Sequence, residues 1–138
     1  MSKHLEITYL AVPYTHSSPL VMEARYIAAS VAANYLFAQG KPCFSPITHT
    51  HPIKTLGKHP LGHRFEEWQS YDFQMIRGVC SSVTVLLIDG WRTSVGVQAE
   101  IDYAIELGLP VHQLQPEKCG LCFEFPYDCV PNVIKESA

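Results

Sequence analysis

The sequence predicts an α/β fold of three layers, Rossmann-like (flavodoxin-like), built on a mostly parallel sheet. Segments rich in Val, Leu and Ile alternate with segments of helical periodicity, and turn signals separate them. The segment 82–89 is apolar along both faces, which is typical of a central strand in a parallel sheet. With right-handed crossovers, the pattern β-α-β-α-β-α-β favours the strand order 2-1-3-4, plus a possible edge strand.

The first strand is predicted at 5–12, and a helix follows it. Ser18 caps that helix, Pro19 takes its first position, and Gly40 ends it. The predicted apolar face of the helix comprises Ala24, Ile27, Ala28, Val31, Tyr35 and Ala38.

The middle of the chain begins with a short strand at 42–47. Residues 48–63 are predicted to form a long polar loop, because they include four histidines and show no hydrophobic periodicity. A helix returns at 65–79, and its predicted apolar side carries Trp68, Tyr71, Met75 and Val79.

The last regular elements are a strand at 82–89, a helix at 94–107 and a strand at 110–114. Ser94 is the predicted cap of that helix, and Gly108 is its stop signal. The residues beyond 114 contain Pro and Cys and show no clear pattern.

The composition indicates one domain over 1–138, with a core at about 5–115 and a tail at 116–138. Because 47% of the residues are hydrophobic and 17% are charged, intrinsic disorder is excluded. The formal net charge of −3 argues against a nucleic-acid partner, which would need a basic face. So little charge also suggests a surface covered by another subunit.

No segment has the length of a signal-peptide core or of a membrane span, so we expect a cytoplasmic protein with no membrane partner. The five cysteines, an odd number, are then expected to be reduced thiols. Cys119, Cys122 and Cys129 lie in the tail, where the first two have only half of a zinc-ribbon spacing. Neither a Walker A nor a G-x-G-x-x-G motif is present, and we expect no cofactor.

A ligand is expected where the strand order reverses, between the first and third strands. Glu100 is the most informative residue there, since it falls at the margin of the buried stripe predicted for its helix. A carboxylate in that position is paired, protonated or facing a cavity. The alternative is a boundary glutamate that reaches out to solvent. The predicted stripe comprises Val97, Ile101, Ala104, Ile105 and Gly108.

The loop before this helix offers further candidates. Asp89 ends the central strand, at the edge where parallel sheets carry functional side chains. Gly90 and Gly96 permit close backbone approach, and the free N–H groups beyond Ser94 could receive an anion or a sugar hydroxyl. An ordinary capped loop is the alternative interpretation.

Tyr9 and Tyr14 supply two phenols near the end of the first strand, and Asp72 lies on a helix beside apolar residues. Tyr9 is equally well interpreted as a packed strand aromatic, and Asp72 as an exposed carboxylate. Arg25 and Arg92 could meet a phosphate, although a solvated side chain is the default for both.

In combination, these residues resemble the nucleoside 2-deoxyribosyltransferase-like superfamily, especially a small bacterial branch of uncharacterised proteins, the DUF1937 type. The resemblance covers about 5–112 and rests on three blocks. They are Tyr9-Leu-Ala-Val-Pro-Tyr14, then Trp68…Tyr71-Asp72, then Asp89-Gly-Trp-x-x-Ser94-x-Gly96-x-x-x-Glu100.

The resemblance implies chemistry at the N-glycosidic bond of a nucleoside or nucleotide. In characterised members, a glutamate in the position of Glu100 attacks the anomeric carbon, and water or a second base resolves the glycosyl-enzyme. Such retaining transfer needs a carboxylate nucleophile and an acid for the leaving group. Tyr9 matches a tyrosine that orients the nucleophile, and Asp72 and Asp89 match acidic positions that contact the base or assist its departure.

The remaining implied roles concern binding and assembly. Ser94 and Gly96 would hold the sugar or phosphate side of the substrate. Pro13, Tyr14, Gly90 and Trp91 complete the expected substrate-binding set. Members of the superfamily are commonly homo-oligomers that complete each other's sites, so we expect a homodimer or homotetramer.

Two other functions stay open. One is a non-catalytic nucleotide-binding or sensing protein that keeps the pocket. The other is a metal-dependent enzyme built on the histidine-rich segment, in which His49 and His51 form a plausible metal pair near His59 and His63. The predicted site itself includes no metal.

Overall fold

The computed structural model describes residues 5–121. Its parallel strands form one sheet in the order β2-β1-β3-β4, which confirms the predicted fold class and strand order. The strands are β1 (Thr8–Ala11), β2 (Cys43–Phe44), β3 (Ser82–Leu86) and β4 (Val111–Leu114). Tyr9 is the register partner of Phe44 on β2 and of Val83 on β3.

Helices cover both faces of the sheet and produce the expected three layers. They are α1 (Pro19–Ala38), α2 (Pro46–Leu56), α3 (Phe65–Gly78) and α4 (Val95–Glu106), and a short 3₁₀ helix follows at Pro116–Cys119. Leu10 of β1 packs in the cluster that α1 covers, whereas Tyr9 and Ala11 pack in the cluster with α3 and α4. This alternation follows from the two-residue period of a strand.

Helix α1 begins as predicted, because the Ser18 side chain accepts a hydrogen bond from the N–H of Val21. Its predicted apolar face was partly wrong. Ala38 is exposed, and Ile27, Val31 and Tyr35 are only half-buried. The buried stripe is dominated by small side chains, which let the helix approach the sheet closely; it comprises Ala24, Arg25, Ala28, Ala29, Ala32 and Leu36.

The predicted loop at 48–63 is wrong over its first half, where α2 lies, and the preceding strand is correspondingly short. Ser45 caps α2 and Pro46 takes its first position, the same arrangement that begins α1. Pro52 lies inside this helix, where it removes one backbone hydrogen bond. The hydroxyl groups of Thr50 and Thr55 donate to backbone carbonyls one turn earlier and support the helix around it.

The faces of α3 and α4 are rotated slightly from those predicted. On α3, Tyr71 and Val79 are exposed, and the buried residues are Asp72 and Ile76. On α4, Ile105 is 64% exposed and Gly108 beyond it is exposed, whereas Val97, Glu100 and Ala104 are buried. Both rotations turn an acidic residue inward.

The chain beyond β4 adds Leu121, which is buried in the cluster that α1 covers. Cys43, Cys80 and Cys119 carry free thiols, and burial raises the pKa of each to about 11. Cys122 and Cys129, named above with the partial zinc-ribbon spacing of the tail, lie outside the described residues. None of the helices within 5–121 has the length and apolar character needed to cross a membrane.

Candidate active site

A cavity of about 400 Å³ opens at the carboxyl ends of the strands. The loop after β1, helix α2, the start of α3 and the segment leading into α4 form its walls. The cavity therefore lies at the point where the strand order reverses, as parallel α/β sheets favour.

Glu100 and Tyr9 meet at the base of this cavity. The Tyr9 hydroxyl donates a 2.6 Å hydrogen bond to Oε2 of Glu100, and the Glu100 side chain lines the cavity. Glu100 is 5% exposed, which excludes the alternative interpretation of Glu100 as a boundary residue that reaches out to solvent. Burial raises the pKa of Glu100 well above its usual value, although the hydrogen bond from Tyr9 opposes this, and the nearby Asp72 adds to the rise.

Asp72 is the second buried carboxyl group of the cavity, so its interpretation as an exposed helical carboxylate was wrong. Burial raises the pKa of Asp72 to about 6, while the charge of Lys54 and the neighbouring Tyr9 hydroxyl lower it. Among the described residues, Oδ1 of Asp72 has no hydrogen-bond partner. The cavity thus holds two acidic groups whose protonation is coupled through Tyr9.

Lys54 brings a cation to the same cavity from α2. Its Nζ atom lies 4.6 Å from the centre of the Tyr14 ring and 4.7 Å from the centre of the Trp68 ring. Burial lowers the pKa of Lys54, and the charges of Asp72 and Glu67 oppose that change. Two aromatic faces therefore hold this ammonium group in the cavity wall.

Arg25 connects the loop after β1 to the loop after β3, on either side of the point where the strand order reverses. Its Nη1 donates to the carbonyl of Thr15 at 3.1 Å, and its Nη2 donates to the carbonyl of Asp89 at 3.4 Å. Arg25 is 8% exposed, so the solvated default was wrong for this residue. Gly90 has φ +95°, and a Cβ there would lie 2.5 Å from Nη2 of Arg25. The positive φ favours glycine at this position, and a Cβ would also displace the Arg25 guanidinium group.

The first residues of α4 and its cap form another part of the cavity wall. The Ser94 side chain accepts a hydrogen bond from the N–H of Val97 at 3.1 Å, so Ser94 caps the helix as predicted. A Cβ on Gly96 would lie 2.9 Å from a ring carbon of Phe65. The missing side chain at Gly96 lets the start of α3 pack against the start of α4.

The predicted site residues are mostly, but not all, at the cavity. Those that line it are Tyr14, Asp72, Gly90, Ser94, Gly96 and Glu100. Tyr9 lies beneath and reaches it through Glu100, so it is both a packed aromatic and a partner of the carboxylate. Pro13, Asp89 and Trp91 are not among the lining residues.

Sequence reasoning missed Lys54, Trp68 and Arg64 as lining residues. The sequence gives no direct signal for Lys54, because its segment lacks hydrophobic periodicity and is predicted as a loop, whereas it forms α2. Had the Ser45-Pro46 pair been interpreted like Ser18-Pro19, helical spacing would have directed attention to its inner face. Trp68 was predicted on the apolar side of its helix and in one block of the resemblance, but not as a residue of the site.

The histidines of 48–63 separate in the structure. His51 is buried against α1, whereas His49 is exposed beside Tyr71. His63 lines the cavity, and the ring of Tyr14 lies 6.2 Å from its own. Within residues 5–121, no three His, Cys, Asp or Glu side chains come together in a way that could hold a metal ion.

A family model described as a domain of unknown function, DUF1937, matches residues 6–115. This span includes every residue of the Tyr9, Asp72 and Glu100 cluster, as well as Lys54. No curated protein matches the chain.

Proposed function

The chain belongs to the DUF1937 family, and we propose that it cleaves the N-glycosidic bond of a nucleoside or nucleotide, with Glu100 as the nucleophile. One observation carries this proposal. A buried carboxylate faces a cavity of nucleoside size while a phenol holds one of its oxygens in place. The resemblance to the nucleoside 2-deoxyribosyltransferase-like superfamily supports the same chemistry.

The bond between Tyr9 and Glu100 prepares the nucleophile. Because the hydroxyl donates to Oε2, it favours the ionised form of the carboxylate and fixes its orientation. The other oxygen of Glu100 then forms the bond to the anomeric carbon, as the bond from that carbon to the base breaks. The electron pair of the broken bond goes to the departing base nitrogen.

Asp72 is suited to protonate the departing base. A carboxyl group with a pKa of about 6 is partly protonated near neutral pH, which is the property a general acid needs. The unpartnered Oδ1 is available to a ligand in the cavity. The base leaves with the proton of Asp72, and water or a second base then displaces the sugar from Glu100.

The sugar side of the substrate is proposed to lie against the start of α4, near Ser94 and Gly96. The N-terminus of a helix binds hydroxyl or phosphate oxygens through its free N–H groups. Arg25 and Arg64 also line the cavity, so the site accommodates either a nucleoside or a nucleotide.

A panel of ribo- and deoxyribonucleosides and their monophosphates, with free base measured by chromatography, tests the proposal. We expect base release by the wild type and a loss of at least a thousandfold in Glu100→Gln. Glu106→Gln, at the exposed end of the same helix, is the matched control and should keep full activity. Binding without base release by the wild type would overturn the proposal and favour the non-catalytic nucleotide-binding alternative.

The intermediate gives a second, direct test. A 2-fluoro-arabinosyl nucleoside slows both steps of retaining transfer by destabilising the oxocarbenium-like transition state. We expect one fluorosugar adduct per chain by mass spectrometry, located on the peptide that contains Glu100. An active wild type that forms no adduct at Glu100 would overturn the covalent mechanism.

We further propose that the protein is a cytoplasmic homodimer or homotetramer. Large apolar side chains such as Leu20, Phe37 and Leu56 are more than half exposed, and burial against a second copy would remove them from water. Light scattering after size-exclusion chromatography tests this, and a monomer at micromolar concentration would exclude it.

A further inference from the structure

A chain of two hydrogen bonds leads from the surface of α1 into the cavity. His51 Nε2 lies 2.9 Å from Oε1 of Glu23, and His51 Nδ1 lies 2.7 Å from the hydroxyl oxygen of Tyr14. The side chain of Glu23 is 46% exposed, His51 is buried, and Tyr14 lines the cavity. The three residues thus connect solvent to the site through an imidazole.

With Glu23 ionised and the imidazole neutral, both hydrogen bonds of the chain have a defined direction. An ionised carboxylate only accepts hydrogen bonds, so Nε2 of His51 carries the hydrogen that Glu23 accepts. In the neutral imidazole, Nδ1 is then the acceptor, and it receives the hydroxyl proton of Tyr14. The lone pairs of the Tyr14 oxygen are consequently free to accept a proton from the cavity.

The surroundings hold the imidazole in this position. The ring of Tyr26 stacks on His51 with a centroid distance of 4.3 Å and an interplanar angle of 25°. The charged or titratable groups around the chain are Glu23 and Tyr26 from α1, Lys54 from α2 over the Tyr14 ring, and His63 beside Tyr14. Glu23 contacts the imidazole directly, at 2.9 Å from Nε2.

Resting on the proposed function, we propose that Glu23, His51 and Tyr14 form a proton relay that activates the acceptor, a water molecule or another neutral O–H or N–H nucleophile. The oxygen or nitrogen atom of the acceptor bonds to the anomeric carbon while the bond from that carbon to Glu100 breaks, and the electron pair of the broken bond returns to the carboxylate. The acceptor proton moves to the Tyr14 oxygen as the Tyr14 proton moves to Nδ1 of His51. The imidazolium formed is paired with Glu23 and later loses its proton to solvent.

The two proton transfers must occur together, because a negative charge on the Tyr14 oxygen is unfavourable. Burial raises the pKa of Tyr14 to about 12, and the charge of Glu23 adds to that rise, so a free phenolate is disfavoured. His51 is therefore the base and Tyr14 the group that touches the acceptor. Glu23 and His51 are positioning residues that act through Tyr14.

The decay of the trapped glycosyl-enzyme isolates the step in question. After the fluorosugar adduct has formed and excess nucleoside has been removed, mass spectrometry follows its hydrolysis. We expect Tyr14→Phe and His51→Gln to slow this hydrolysis by about a hundredfold, the usual contribution of a general base. We expect Glu23→Gln to slow it by about tenfold. Gln at position 51 can keep both hydrogen bonds but cannot carry the proton.

Sodium azide separates a chemical role from a structural one. Azide is already an anion and needs no base, so it should discharge the adduct in Tyr14→Phe and His51→Gln at a rate near that of the wild type with azide. His49→Gln changes an exposed histidine of the same helix and is the control. It should hydrolyse the adduct at the wild-type rate.

The outcomes distinguish the relay from the function on which it rests. If no adduct forms in the wild type and no base is released, the proposed function falls and the relay falls with it. If the adduct forms but Tyr14→Phe and His51→Gln hydrolyse it as fast as the wild type, only the relay is overturned. The relay is also overturned if the variants hydrolyse the adduct slowly and azide does not restore the rate, because the substitutions have then disturbed the structure of the site.

Nitrogen-15 spectra of the histidine side chains test the hydrogen-bond chain without any substrate. We expect His51 to be the Nε2–H tautomer at pH 8 in the wild type, with an acceptor-type Nδ1 shift that changes in Tyr14→Phe. An Nδ1–H tautomer would overturn the direction of proton transfer stated here.

Discussion

The hydroxyl of Tyr9 and the carboxylate of Glu100 form a 2.6 Å hydrogen bond although the two residues lie 91 positions apart. Tyr9 belongs to β1, which is paired with β3, and Glu100 lies in the second turn of the helix that follows β3. The parallel crossover therefore brings them together. Their bond connects the core of the sheet to the acidic group on which the proposed chemistry depends.

Tyr9→Phe removes this bond and leaves the ring in place. A buried carboxyl group that loses its partner costs about 1–3 kcal/mol, so we expect the free energy of unfolding to fall by that amount. Urea denaturation at pH 7 measures the change. Tyr35→Phe is the control, because Tyr35 is a half-buried residue of α1. Its free energy of unfolding should stay within about 0.5 kcal/mol of that of the wild type. Equal stability of Tyr9→Phe and wild type would contradict the prediction.

The pKa of Asp72 predicts an unusual dependence of stability on pH. The folded value of about 6 lies above the unfolded value of 3.8, so the native state binds more protons between them. The contribution of Asp72 to the free energy of unfolding is therefore most favourable at low pH, and it is lost as the pH rises through about 6. The loss amounts to about 3 kcal/mol, and the raised pKa of Glu100 acts in the same direction.

Asp72→Asn removes the titrating group, so the variant should gain stability relative to the wild type as the pH is raised from 4 to 8. Urea denaturation at each pH measures the difference between the two proteins. Asp102→Asn, on the exposed side of α4, should keep the pH dependence of the wild type. A difference between Asp72→Asn and wild type that does not vary with pH would refute the assignment.

Gly96 is predicted to resist a substitution that normally stabilises a helix. Alanine is favoured over glycine within helices by about 1 kcal/mol, but a Cβ at Gly96 would lie 2.9 Å from the Phe65 ring. We expect Gly96→Ala to destabilise the protein by about 1–3 kcal/mol, the usual cost of overpacking. Gly78→Ala, where a Cβ has nothing within 4 Å, should instead be neutral or stabilising. Thermal denaturation compares the two.

A double variant identifies the cause. Phe65→Leu makes room at the contact, so Gly96→Ala should cost less in the Phe65→Leu background than in the wild type. Additive effects of the two substitutions would show that the ring of Phe65 is not the obstacle.

Much of the fold followed from short signals in the sequence. Ser18-Pro19 and Ser94 marked two helix starts correctly, and the strand order followed from the alternation of elements. Helix α2 was missed because Pro52 and the histidines lower its intrinsic propensity, and packing against α1 outweighs that weak preference. Propensity describes the isolated segment, whereas the core decides the outcome.

The site was predictable where periodicity constrained it. Glu100 stood at the margin of the predicted apolar stripe, and the observed buried face of α4, which comprises Val97, Glu100 and Ala104, includes it. Asp89 was predicted from its position after a strand and from the resemblance, neither of which determines where a side chain points, and Asp89 is not among the residues that line the cavity. The bonds of Tyr9 and Arg25 join distant segments, so no local pattern could show them.

Lys54→Met tests whether helix α2 controls the acidity of the site. The ammonium group lowers the pKa of Asp72, so its removal should move that pKa above about 6. Carbon-13 spectra of the aspartate carboxyl groups, recorded from pH 4 to 8, measure the change directly. Lys54→Arg keeps the charge and should stay closer to the wild type, and Lys58→Met removes an exposed charge two residues beyond α2. If Lys54→Met and Lys58→Met shift the Asp72 titration equally, the net charge of the protein, rather than the nearby ammonium group of Lys54, determines the effect on the pKa of Asp72.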